Sequence, residues 1–161
     1  MKFTKGQEGG VRADFSGADL ADINLQGANL AYALFHGANL AGADLRDARL
    51  GAADFSKANM KRADLRGCDL TETIFAGADL TEAQLGGVEL FRADLSGAIL
   101  RRANLRAANF RYANIRGAQL QGADVTTTIL RETDLTGVDL SGLDLTTTLM
   151  PRGWKAAGTA K

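Results

Sequence analysis

The sequence predicts an all-β chain wound as a four-sided coil of about seven turns, with one hydrophobic side chain per side pointing at the axis. Three observations predict it. Every fifth residue from Phe15 to Met150 is Leu, Phe, Met, Ile or Val, an unbroken run of 28 positions. Two residues before these centres stands Ala in 19 of the 28 units, and the residue between is Asp or Asn in 19. Finally, Phe recurs at Phe15, Phe35, Phe55 and Phe75, and glycine two after the centre keeps the same spacing of twenty at Gly17, Gly37, Gly77, Gly97, Gly117 and Gly137, with Lys57 the exception.

A period of five fits neither standard element. Steps of five advance about 140° around an α-helix and would scatter the leucines over every side. One long strand alternates its faces every two residues and cannot hold them on one face either. The conflict resolves if the chain turns a corner once per unit. Ala and the centre are two apart, so a short extended piece points both inward and the intervening Asp or Asn outward. The two residues after the centre are rich in Gly, Ser, Thr, Arg and Lys, as corners require. A spacing of twenty is four such pieces, which makes the coil four-sided and stacks the phenylalanines inside one side. At a strand separation of about 4.8 Å, seven coils give a rod of roughly 34 Å.

From the N-terminus, residues 1–10 (MKFTKGQEGG) form a terminal segment in which Phe3 is placed to cover the first coil. Residues 11–150 are the coil. Its outward Asp and Asn are expected to bond turn amides, which makes these carboxylates structural. Larger residues replace the inward Ala at Ile23, Val88, Val138 and Leu143; Ile23 and Leu143 lie near the ends, where a coil needs bulk to seal itself. Residues 151–161 form a tail expected to fold over the last coil through Trp154.

The consensus Ala-Asp/Asn-Leu-X-X over residues 11–150 resembles the pentapeptide repeat family. The resemblance implies a right-handed quadrilateral β-solenoid; the hand comes from the family and not from the periodicity. Some members bind DNA gyrase and protect it from quinolones, being similar to duplex DNA in shape and negative charge. The rod carries over to this chain. Strong negative charge, loop insertions and a long C-terminal dimerising helix do not, so gyrase binding is kept as the alternative reading.

Composition narrows the function classes. Lys plus Arg and Asp plus Glu are both 19, so there is no global charge signal for nucleic acid or for its mimicry. The single cysteine, Cys68, falls on an inward position and reads as a small hydrophobe. The start has no apolar signal region and no stretch is long enough to span a membrane, so a soluble cytoplasmic protein is expected. One histidine and one cysteine exclude a multi-histidine metal site, no calcium-loop spacing is present, and no cofactor is expected. Ser16, His36 and Ser56 share one outward column, placing a hydroxyl about 5 Å from an imidazole. They read as solvated corner residues, since a convex rod offers no water-excluding cleft.

The surface is expected to differ from side to side. The side built on the phenylalanine column is plain, with outward Leu34 and Ile74 making a flat, mildly apolar strip. The side built on Leu30, Leu50, Leu70, Leu90 and Phe110 carries Tyr32, Phe91, Arg92, Arg111, Tyr112, Ile129, Arg131 and Leu149, and with Trp154 these form the candidate interaction surface. Ile129, Leu149 and Tyr112 are expected to gather near Trp154, either covered by it within one chain or meeting a second copy in a dimer through the C-terminal end. Arg101, Arg102, Arg106, Arg111 and Arg116 ring the rod as a solvated belt and not as a phosphate-binding groove. The expected function is a non-enzymatic scaffold for a protein partner.

Overall fold

The computed structural model describes residues 12–155. The covering role expected of Phe3 lies outside these residues. Each coil pairs with the next in parallel at a separation of twenty residues, from Asp14↔Leu34 to Ile129↔Leu149. We number the sides from the phenylalanine column: side 1 is centred on Phe15, Phe35, Phe55, Phe75, Leu95, Ile115 and Leu135, and sides 2, 3 and 4 begin at Leu20, Leu25 and Leu30.

The pairing arises because each extended piece has just two backbone groups to satisfy on each neighbour. On side 1 the Leu34 N–H donates to the Ala13 carbonyl at 2.8 Å, and the Phe15 N–H donates to the Leu34 carbonyl at 2.7 Å. The corner closes locally: the Ala18 N–H donates back to the Phe15 carbonyl at 2.9 Å, and the second corner residue, Gly17, has φ 67°. A three-residue-back bond with positive φ only at the later central residue is a type II turn. The outward Asp or Asn steadies that turn by accepting the first corner N–H, as in Ser16 N–H to Asp14 Oδ1 at 2.9 Å and Thr126 N–H to Asp124 Oδ1 at 3.0 Å. The structural reading of these side chains holds at those positions.

The interior is a stack. Phe15, Phe35, Phe55 and Phe75 lie ring over ring at centroid distances of 5.0, 4.7 and 5.4 Å with interplanar angles of 17°, 4° and 9°. Each ring therefore lies over the equivalent ring one coil earlier. Inward alanines are buried and keep opposite sides close, while Phe55 and Leu50 have no exposed surface. Where Cys or Thr replaces the inward Ala, it reaches the carbonyl of the centre one coil earlier: Cys68 Sγ to Leu45 O at 2.9 Å, Thr73 Oγ1 to Leu50 O at 3.1 Å, Thr128 Oγ1 to Leu105 O at 2.7 Å. Burial pushes the Cys68 thiol up to about 12, so at neutral pH it is an inert thiol in the core.

Both described ends are looser than the middle. Phe15, Leu20, Ile23 and Leu25 at one end, and Leu135, Leu140, Leu143 and Leu145 at the other, are only half-buried. Ile23 and Leu143 do supply bulk there, whereas Val88 is fully buried mid-rod. The tail makes one further turn, with the Trp154 N–H donating to the Pro151 carbonyl at 3.1 Å and Gly153 at φ 76°. Among the described residues, no helix is long and apolar enough to cross a membrane.

Candidate functional site

The corners distinguish one edge of the rod from the rest. At each, the second residue sits in the left-handed region, where a side chain costs roughly 1–2 kcal/mol. Between sides 1 and 2 that residue is Gly in every coil except at Lys57. Between sides 4 and 1 it is never Gly: Tyr32, Ala52, Glu72, Arg92, Tyr112 and Glu132 all have φ between 55° and 65°. At each of these six coils this edge carries a side chain at a left-handed position.

Most of the residues singled out from the sequence lie on or beside it. Phe91 and Tyr112, one coil apart, meet edge to face at a centroid distance of 5.4 Å and an angle of 84°. The Arg92 guanidinium lies 5.1 Å from the Phe91 ring centroid, and its Nη1 is 3.7 Å from Glu72 Oε1. Arg111 pairs with Glu132 at 3.3 Å. The Tyr112 hydroxyl, and then the Arg111 charge, hold the Glu132 carboxyl below its ordinary range. Tyr112 is 52% exposed and Tyr32 50%, so the aromatic surface faces solvent. Arg131 is exposed at the same edge.

The expected gathering at the C-terminal end is divided. Ile129 and Leu149 are neighbours on side 4, bridged directly, with Ile129 half-buried and Leu149 41% exposed. The Tyr112 ring instead packs against Phe91, on the side away from that end, while its hydroxyl bonds Glu132. Trp154 is half-buried beyond the last coil.

The edge also holds a feature that residue-type reasoning missed. A cavity of about 300 Å³ opens at Gly51 and Ala52, walled by Tyr32, Arg49, Asp69 and Glu72. It exists because coil two places two small residues in a column of longer ones. The signal was present in the sequence as Gly-Ala where other coils carry Phe-Arg or Arg-Tyr. Glu72 and Glu132, the carboxylates that anchor the arginines, were missed for a different reason: their partners lie twenty and twenty-one residues away.

Elsewhere the surface is self-paired. Arg46 bonds Asp44 at 2.6 Å, Arg66 bonds Asp64 at 2.6 Å, and Lys61, Arg106 and Arg116 reach Asp79, Asp124 and Asp134 at 3.2, 3.4 and 3.7 Å. The arginine belt is thus interleaved with carboxylates. On side 1 Leu34 is half-buried and Ile74 is 37% exposed, giving a thin apolar strip. His36 Nδ1 lies 2.8 Å from Ser56 Oγ, closer than the spacing alone suggests, but the serine hydroxyl donates to Asp54 Oδ1 at 2.5 Å. The serine proton is therefore directed to a carboxylate and not to the imidazole, the wrong order for an activated nucleophile. Among the described residues, no group of three or more His, Cys, Asp or Glu could hold a metal ion.

Comparison with known proteins agrees with this architecture. The family model for pentapeptide repeats matches eight copies, over residues 11–47, 48–87 and 89–126. The structure of HetL, a pentapeptide repeat protein involved in heterocyst differentiation regulation in the cyanobacterium Nostoc sp. strain PCC 7120, is similar at 27% identity and a TM-score of 0.46. That match covers 88% of this chain and 86% of HetL. A pentapeptide repeat protein of the Arabidopsis thaliana thylakoid lumen is 32% identical with a TM-score of 0.48, covering 62% of this chain and 66% of that one. QnrB1, a plasmid-mediated fluoroquinolone resistance protein, is 20% identical with a TM-score of 0.44, covering 88% and 79%. Among curated proteins none matches.

Proposed function

Since the chain belongs to the pentapeptide repeat family, and so is a right-handed quadrilateral β-solenoid, we propose that it is a non-enzymatic scaffold whose edge between sides 4 and 1 binds protein. The observation that carries this reading is the absence of glycine from the left-handed second position of that edge's corners. Six successive left-handed corners bear side chains there, although the neighbouring edge shows that glycine fits the same turn. The cost is matched to composition: the exposed Tyr32, Tyr112 and Arg92 are of the residue types that dominate binding energy at protein interfaces. The shared period supplies rigidity, because each displayed side chain sits on a turn tied by backbone bonds to the coils on either side.

The gyrase reading, suggested by the family and by the resistance protein among its structural relatives, calls for a continuous negative surface. Asp44, Asp64, Asp79, Asp124 and Asp134 are instead paired with Arg or Lys. A supercoiling assay with gyrase, quinolone and this protein tests that alternative directly.

The scaffold reading is tested by affinity capture from the native host with the wild type and with Phe91→Ser/Tyr112→Ser. A partner retained by the wild type and lost by the variant is expected. A partner retained equally by both moves the binding surface off this edge.

A further inference from the structure

The displaying edge is divided into unlike halves. Of its four central corners, the first two are small or acidic, Gly51-Ala52 and Thr71-Glu72, and the next two are large or basic, Phe91-Arg92 and Arg111-Tyr112. The 300 Å³ cavity lies in the first half, with Asp69 and Glu72 on its wall. The edge-to-face Phe91–Tyr112 pair stands in the second. Because the parallel pairing keeps a separation of twenty residues through both halves, they belong to one continuous column of corners.

A column with a notch in one half and a knob in the other is complementary to itself reversed. Take a two-fold axis crossing the edge midway between corners 71–72 and 91–92, with the two rods antiparallel. Tyr112 then lies opposite Ala52, and Arg111 opposite Gly51. Phe91 lies opposite Thr71, and Arg92 opposite Glu72. At each corner a large group meets a small one or a cation meets a carboxylate, and symmetry makes every contact twice. At the outermost corners Arg131 lies opposite Ala31 by the same rule, whereas Glu132 lies opposite Tyr32, a carboxylate facing a phenol and outside that rule. One like-charge pair, Asp69 and Glu89, falls on side 4 beside the crest. Each is already held in its own chain, Asp69 by the Thr71 N–H at 3.0 Å and Glu89 by Asn109 Nδ2 at 2.7 Å, and Arg111 of the other copy brings a cation to Asp69.

We propose that the protein pairs with a second copy of itself along this edge, the aromatic and arginine half of each copy seated in the notch of the other. The proposal rests on the edge being the interaction surface and names its occupant. A single edge is narrower than a full side and buries less than the standard interface of about 1,200–2,000 Å², so the pair is weak and reversible.

Sedimentation equilibrium of the full chain, from micromolar to near-millimolar concentration, tests it. The wild type is expected to dimerise with concentration. Ala52→Tyr fills the notch and raises the dissociation constant at least about tenfold; it is safe for the fold because Tyr32 and Tyr112 already occupy the equivalent corner at φ 65° and 60°. Glu72→Arg weakens pairing likewise, and adding Arg92→Glu restores it, since the exchange recreates the attraction within and between chains. Unchanged circular dichroism and melting establish that each variant is folded. A wild type that stays monomeric throughout overturns the proposal. So does a dimer untouched by Ala52→Tyr, a charge exchange that fails to restore pairing, or a dimer lost in Leu149→Asp alone, which places the contact at the C-terminal end. If the wild type is monomeric yet Phe91→Ser/Tyr112→Ser still loses a captured protein, self-pairing is wrong and the scaffold reading stands.

Discussion

The phenylalanine column inside side 1 and the edge leading into that side follow one period and lie within a few residues of each other in every coil. The column puts its aromatics at the axis, ring on ring, with no exposed surface at Phe35, Phe55 or Phe75. The edge puts Tyr32 and Tyr112 outside, on left-handed positions that disfavour any side chain at all, with the half-buried Phe91 beside them. The glycine corners that follow side 1 show the low-strain solution to the same turn. A repeat fixes where every residue goes, and departures from the lowest-energy residue at a given position are then informative about use. Inside, the departures from Leu and Ala add packing; outside, the departures from Gly cost stability, which the proposed binding role of the edge accounts for.

The sharpest way to break that contrast is to truncate one aromatic from each set. Phe55→Ala removes a fully buried ring with rings above and below it and is expected to cost about 3–5 kcal/mol in urea unfolding. Tyr112→Ala removes an exposed ring whose edge contact with Phe91 is worth about 0.5–1.5 kcal/mol. Equal losses would mean that the edge is part of the stabilising core. The next largest effect lies at the corners. Gly97 has φ 64°, and nothing lies within 4 Å of where a Cβ would be, so Gly97→Val meets only the backbone penalty. A loss of roughly 1–2 kcal/mol is expected. No loss would remove the strain on which the reading of that edge's left-handed positions depends.

The fold was legible in the sequence because each unit states its own geometry. The fifth-residue centres mark the axis, the Ala-Asx pair marks the extended piece, and recurrence of Phe and Gly at twenty counts the sides. The site was legible only in part. Phe91, Arg92 and Tyr112 stand out by type, but the cavity at Gly51-Ala52 is a deficit of side chain, and composition is blind to deficits. The link between Tyr112 and Glu132 is likewise hidden until coils are stacked. The end of the rod was harder still: Trp154 sits past the last regular unit, where the period no longer dictates position.

Acid separates the ladder of carboxylates from the core. The Arg46 guanidinium holds Asp44 down to about 2, and the hydroxyls of Thr126, Thr136 and Thr146 lower Asp124, Asp134 and Asp144. In the unfolded chain these groups titrate near about 3.9. A folded value below the unfolded one gives stability that is present above about pH 4 and is lost as the pH falls through the folded value. The melting temperature is therefore expected to be level between about pH 5 and 8 and to fall from about pH 4 towards 2. Asp124→Asn keeps an acceptor for the turn but cannot titrate, and it should shallow that fall slightly. A melting temperature unchanged at pH 2.5 would show that the turn carboxylates are ornaments on a coil held by its core alone.

The smallest effect isolates strain from display. Ala52 and Ala107 both sit at φ 55°, one on the displaying edge and one on the edge between sides 3 and 4. Replacing either with Gly removes the left-handed penalty of about 1–2 kcal/mol and forfeits about 0.5–1 kcal/mol to the greater freedom of Gly in the unfolded chain. Both variants should therefore be as stable as the wild type or more stable, by up to about 1.5 kcal/mol. Agreement between them means that the Ala52 methyl does nothing for the isolated fold and that corners without glycine are kept against stability. If Ala52→Gly were destabilising while Ala107→Gly was not, the methyl would be a packing group of the folded chain. The edge would then owe its composition to the coil beneath it and not to anything it meets.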